Sequence, residues 1–270
     1  MIENLNKSAG LRGQVACETS ICTVGKSGTG LTYRGYEITD LADHAEFEEV
    51  AFLLLKGHLP SKEELIKYKQ KLKSLRELPD ALKKVLEEIP KLSHPMDVMR
   101  TGCSVLGCLE TENNFQDQDD KIDRMLALFP SIIAYWYRYS HDNIRIDTTT
   151  DDNSIGGHFL NLLHDDKPSA LHEKVMNVSL ILYAEHEFNA STFAARVCAS
   201  TLSDIHSCIT GAIGTLRGPL HGGANEAAME LIERFKSPDA AENELLKMLE
   251  EKEKIMGFGH AVYKENDPRN

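Results

Sequence analysis

Apolar positions set the outline of this chain. Between Val15 and Ile38 they alternate with polar ones at the strand period, in VACETSICTV and GLTYRGYEI. These two runs flank Gly25-Lys26-Ser27-Gly28-Thr29-Gly30, and the pattern predicts a β-hairpin. From Thr39 onward the spacing changes to three and four, which predicts helix after helix. Val50, Phe52, Leu53 and Leu54 mark a helix over 46–56 that stops at Gly57 and Pro60. Ser61 and Glu64 form a capping box for a helix to about Arg76, because hydroxyl and carboxylate each satisfy a free backbone N–H. Pro79 opens a helix ending near Pro90, and further helices are expected over 96–109, 121–140, 157–163, 170–185, 191–213, 224–235 and 238–254.

The helix expected over 191–213 is rich in Ala, Ser, Thr and Cys on several faces, so neighbouring helices can approach it closely. That composition suits a buried core helix and a subunit interface equally. Gln116 to Asp120 is expected to be a solvated acidic loop. The turn GKSGTG has a faint likeness to a phosphate loop. It lacks the order of that motif and no long helix follows it, so a plain turn is expected. The longest uncharged apolar stretch, 125–137, contains Pro130 and is too short to span a bilayer. No membrane partner is expected.

Composition narrows the function. Hydrophobic residues at 41% and charged residues at 27% are globular values. A net charge of −12 argues against a general nucleic-acid binder, although a few buried Arg and His residues can still hold an anionic substrate. The N-terminus has no basic, apolar leader, and the six cysteines form no CxxC pair. Reduced thiols and a cytoplasmic location are the expectation.

Eleven histidines remain to be sorted. His44, His58, His141, His164 and His172 lie among charged or turn residues and are expected at the surface, and His94 sits in a turn before Pro95. His206 is expected as a core histidine, and His158, after a Gly-Gly pair, as a core residue or part of a loop over a site. His186, His221 and His260 stand apart. Each is on a helix–loop junction, and the last two are beside glycines that expose backbone N–H groups. At a helix N-terminus an imidazole tends to stay neutral and to donate a hydrogen bond. A neutral histidine that donates to a carbonyl is an electrophilic catalyst. Spacing alone leaves a metal site open, with His186 beside Glu185 or Glu187, but no HExxH pattern supports one.

The combination of motifs is more specific. GFGHAVYKENDPR at 257–269 resembles the signature segment of the citrate synthase family at every defined position. GPLHGGANE at 218–226 is similar to that family's second histidine motif, EHEFNAST at 185–192 to its first, and the N-terminal runs to its hairpin. Within the family, the stretch from 184 to 230 is most similar to the branch that condenses propionyl-CoA with oxaloacetate, the 2-methylcitrate synthases. Acetyl-CoA as the acyl donor, or an inactive helical scaffold of the same fold, are the alternatives.

The resemblance implies a mainly α, multi-helical two-domain fold with a small N-terminal β-hairpin, working as a homodimer. It implies no covalently bound cofactor and no metal, with the coenzyme A thioester as substrate. It implies that His221 hydrogen-bonds the thioester carbonyl, that His260 polarises the oxaloacetate ketone, that His186 contacts oxaloacetate, and that Arg269 pairs with one of its carboxylates. Main-chain groups of Met256, Gly257, Phe258 and Gly259 would receive the adenine. The chemistry fits: an α-proton of a thioester is weakly acidic, and a fixed donor to the oxygen that gains charge is worth roughly 2.7–4 kcal/mol. In the family the catalytic aspartate and further arginines lie beyond the signature, and the matching positions are not among these 270 residues. The expected division is therefore a large helical domain with the hairpin over 1–222 and the start of a truncated small domain over 223–270. These 270 residues alone are expected to release almost no CoA thiol.

Overall fold

The structure is a computed structural model, and it describes residues 18–25, 30–258, 263 and 267–269. Three short strands open it: β1 (Cys22–Val24), β2 (Leu31–Tyr33) and β3 (Tyr36–Glu37), antiparallel in that order, with Cys22 opposite Tyr33 and Tyr33 opposite Tyr36. The expected hairpin thus carries a third strand. The turn residues 26–29 lie outside the described residues.

Helices follow: α1 (Ile38–His44), α2 (Phe47–Lys56), α3 (Lys62–Ser74), α4 (Asp80–Glu87), α5 (Pro95–Leu109) and α6 (Gln118–Asp142). After them come α7 (Ile155–His164), α8 (Ala170–Leu182), α9 (Ala190–Ala199), α10 (Ile205–Leu216), α11 (Gly223–Glu233) and α12 (Pro238–Glu250). The capping box of Ser61 and Glu64 forms as expected, with the Glu64 N–H 3.3 Å from the Ser61 hydroxyl. The acidic stretch before α6 winds into a short 3₁₀ turn, Phe115–Asp117, and then into the helix itself. There Asp119 and Asp120 meet Lys56 and Lys71 at 2.5 and 2.7 Å.

One expectation is corrected. The helix predicted over 191–213 is two helices, α9 and α10. Leu202 sits in the left-handed region at φ 62°, and Asp204 caps α10 by accepting from the Ser207 N–H at 2.9 Å. Serine, threonine and aspartate offered the backbone these local partners, and they outcompete a continuous helix.

Two cores organise the molecule. The first joins the sheet to α1, α2, α3 and α8 through Leu31, Tyr33, Val50, Leu53, Leu72 and Ile181. The second packs α4, α5, α6 and α10 around Leu82, Leu106, Ile132, Trp136 and Ile213. Helix α6 is long, about 37 Å at 1.5 Å per residue, and reaches across both through Ala127 and Leu128. At Gly107 a Cβ would stand 2.8 Å from the Cβ of His206, so only glycine lets α5 and α10 touch there. A buried network ties α3 to α6, with the Tyr68 hydroxyl 3.0 Å and the Lys71 ammonium 2.6 Å from the Asp123 carboxylate. Among the described residues no helix is long and apolar enough to cross a membrane.

Candidate active site

The loop between α8 and α9 carries the first histidine motif, and the N-terminal sheet holds that loop in place. The Tyr33 hydroxyl donates to the Ile181 carbonyl at 3.0 Å and accepts the Glu185 N–H at 3.2 Å. Tyr33 is buried, so losing either bond would strand a polar group in the interior. Glu187 adopts φ 53°, a left-handed conformation that costs a non-glycine residue on the order of 1 kcal/mol. Asn189 then caps α9 by accepting the Thr192 N–H at 3.0 Å. Burial pushes the Glu185 carboxyl above its ordinary range and the neighbouring Cys22 thiol up to about 12, which leaves that thiol unreactive.

This loop sets His186 with its Nε2 3.1 Å from the Tyr263 hydroxyl, the two rings meeting edge to face. On the same tyrosine ring lies the Arg269 guanidinium, 5.8 Å from the centroid. Asp267 grips Arg269 with two oxygens, at 2.8 Å to Nε and 2.6 Å to Nη2. That pairing holds the guanidinium charge firmly above even its ordinary value. Burial raises the Tyr263 hydroxyl to about 12, so it stays protonated as a donor or acceptor. His186 and Arg269, 83 positions apart, are thus brought together through Tyr263.

His221 lies in the turn between α10 and α11. The turn closes through His221 N–H to Gly218 O at 2.9 Å, Gly222 N–H to Leu216 O at 3.0 Å and Ala224 N–H to His221 O at 3.2 Å. Its ring docks on Ser191, at the start of α9, with Nε2 3.3 Å from the backbone nitrogen and 2.9 Å from the hydroxyl. The amide can only donate, which makes Nε2 the acceptor and assigns the proton of a neutral ring to Nδ1. The Ser191 hydroxyl is also 2.7 Å from the Asn189 side-chain oxygen. Segment 185–191 therefore supports both histidines, one at each end.

The remaining expectations divide. Gly259 and His260 lie outside the described residues. Met256 and Gly257 form a turn, and the Phe258 side chain is exposed. His158 is a core residue within α7, between the hydroxyls of Ser131 and Thr150 at 3.1 and 3.0 Å, and forms no loop over a site. His206 is buried as expected. Among the described residues no cluster of three His, Cys, Asp or Glu side chains could hold a metal. A surface cleft of about 440 Å³ by α4 and α6 shares no residue with the histidine loops, and its Glu87 is taken up by Arg145 and Tyr135. Tyr33, Tyr263, Asp267 and Ser191 had no role in the sequence reading. All four stood inside the quoted runs and motifs, and that position was their only signal.

Fold and loops define a class: a mainly helical protein whose histidine motifs sit on loops between helices. The chain belongs to the citrate synthase family, whose model "Citrate synthase, C-terminal domain" matches residues 10–270. It is 69% identical to the 2-methylcitrate synthase of Shewanella oneidensis over 97% of this chain and 70% of that one. It is 42% identical to a 2-methylcitrate synthase of Mycobacterium tuberculosis over 96% of this chain and 66% of the relative. Among solved structures it superposes on citrate synthase from Thermoplasma acidophilum, in a ternary complex with carboxymethyl coenzyme A and oxaloacetate. That match has a TM-score of 0.87 and 33% identity, over 96% of this chain and 69% of that one. Citrate synthase from Thermotoga maritima matches with a TM-score of 0.83 and 41% identity, over 97% and 70%.

Proposed function

We propose that this chain belongs to an acyltransferase that condenses propionyl-CoA with oxaloacetate and water to give 2-methylcitrate and CoA. The observation that carries it is the pair of clamps on one loop: His186 with Arg269 on Tyr263, and His221 on Ser191. In this reading His186 and Arg269 bind oxaloacetate. Asp267 occupies the Nε–Nη2 edge of the guanidinium, so Nη1 is the donor that meets a substrate carboxylate. A planar, permanently charged fork suits that pairing better than lysine.

His221 donates from Nδ1 to the thioester carbonyl and stabilises the enol as the α-proton leaves. The ring is held from behind by Ser191, so little reorganisation is needed when charge develops. His260 polarises the ketone of oxaloacetate, and the main chain of 256–259 receives the adenine. In this reading residues 1–222 belong to a large domain and residues 223–270 to a small one. Two copies pair through α9, which buries no residue in the single chain and exposes the apolar Val197.

The test is ligand binding followed by turnover. Millimolar oxaloacetate is expected to raise the Tm, by the amount that corresponds to about 2.7 kcal/mol at a hundredfold excess over Kd. Arg269→Lys is expected to abolish most of that shift. With the enzyme purified from its own cells, kcat/KM for CoA release is expected to favour propionyl-CoA. No stabilisation by oxaloacetate would point to the scaffold reading, and a strong preference for acetyl-CoA would point to a citrate synthase.

A further inference from the structure

The second histidine motif runs on past His221 into Asn225 and Glu226, to which the reaction above gives no part. Both reach out of the first turn of α11 to distant elements. Glu226 meets His94 Nε2 at 3.0 Å, across 132 positions. The tautomer of His94 follows from its other nitrogen: Nδ1 accepts the Met96 N–H at 3.1 Å and caps α5, so Nε2 bears the hydrogen and donates to Glu226. Asn225 Nδ2 donates to the Tyr183 hydroxyl at 2.8 Å, at the C-terminal end of α8.

Three residues, Gly222, Gly223 and Ala224, separate His221 from Asn225, and backbone hydrogen bonds stiffen the turn. Gly223 N–H bonds to Gly218 O at 3.2 Å, and Asn225 N–H to Gly222 O at 3.4 Å. A shift of the first turn of α11 therefore moves the His221 backbone, and with it the ring on Ser191. We propose that Asn225 and Glu226 are positioning residues: by clamping α11 to α8 through Tyr183 and to α5 through His94, they hold the His221 ring against Ser191. The reading rests on His221 being the thioester donor, but its first test needs no substrate.

That test is the rate at which diethyl pyrocarbonate modifies His221, followed by peptide mass mapping of the full chain. His94→Asn keeps a side-chain oxygen to cap α5 and is too short to reach Glu226. Glu226→Ala removes the other partner. Both are expected to raise the His221 rate several-fold, while His158 and His206 stay protected as internal evidence of an intact fold. Glu226→Gln still accepts from His94 and is expected to behave as the parent protein. Tyr183→Phe tests the other limb, and because Tyr183 is 67% exposed the chain tolerates it. In turnover of enzyme made in its own cells, His94→Asn and Tyr183→Phe are expected to lower kcat by about tenfold, as a donor displaced by a fraction of an ångström does, with KM for oxaloacetate unchanged. A His221 rate equal to the parent's in folded His94→Asn and Tyr183→Phe would overturn the proposal. So would a Glu226→Gln variant as perturbed as Glu226→Ala. Loss of turnover with unchanged reagent rates would leave the reaction standing and sink only the clamp.

Discussion

At position 222 a methyl group would sit 2.5 Å from the Leu216 carbonyl oxygen and 2.9 Å from the Leu216 side chain. Nothing there can give way, because that carbonyl also receives the Gly222 N–H. Gly222→Ala is therefore expected to open the turn that presents His221. In enzyme made in its own cells, CoA release should fall by about a hundredfold, since a displacement of an ångström costs that much, while far-ultraviolet circular dichroism stays close to the parent's. Activity within threefold of the parent would show that the turn tolerates the methyl. The same residue-scale logic explains what the sequence disclosed of the site. His186 and His221 stood out because histidines at helix–loop junctions are conspicuous, whereas Arg269 entered only through the likeness to the family's signature segment. Tyr33 and Tyr263 did not, because a tyrosine in an alternating strand or a loop reads as packing until its hydroxyl partners are known.

Among elements, the long helices were legible and the corners were not. Helices α2 through α6 follow their apolar period, Gly and Pro boundaries and caps. Helix α1 escaped because seven residues with only Ile38 and Leu41 buried give too short a period to recognise. The break between α9 and α10 escaped because small residues support helix and turn alike, so the Asp204 cap decides it. The split also separates two fates. Helix α10 buries His206, Cys208 and Ile213, while α9 buries nothing. If α9 meets a second copy, a charge on its apolar face must be desolvated on pairing. Val197 is 51% exposed in the single chain, so under the proposed pairing Val197→Glu is expected to leave the fold intact and yield monomers in sedimentation equilibrium, against an expected dimer for the parent. A dimeric variant would place the contact on another face.

For the molecule as a whole, acid is the informative stress. Burial, with the Arg76 charge adding to it, pushes His158 down to about 3 in the folded chain. The unfolded chain takes up that proton near 6.5, so it binds more protons than the native state between those values. Stability from this group is complete above about 6.5 and drains away as pH falls toward 3, by up to about 1.4 kcal/mol per pH unit. The buried His206 is shifted in the same direction and adds to the loss. Urea unfolding at pH 7, 6, 5 and 4 measures the slope, and His158→Gln is expected to flatten it by about one proton. An unchanged slope would mean that His158 is protonated at no cost.

The Tyr33 staple has a consequence for synthesis. Its carbonyl partner, Ile181, lies 148 residues further along the chain. At the usual pace of translation of about 5–20 residues per second, the hairpin waits roughly 7–30 s on the ribosome before its dock exists. During that interval Leu31 and Tyr33 have no α8 to cover them. The hairpin is made long before its dock, and a slow decoding step placed just before codon 181 would lengthen its exposure to chaperones and to neighbouring nascent chains.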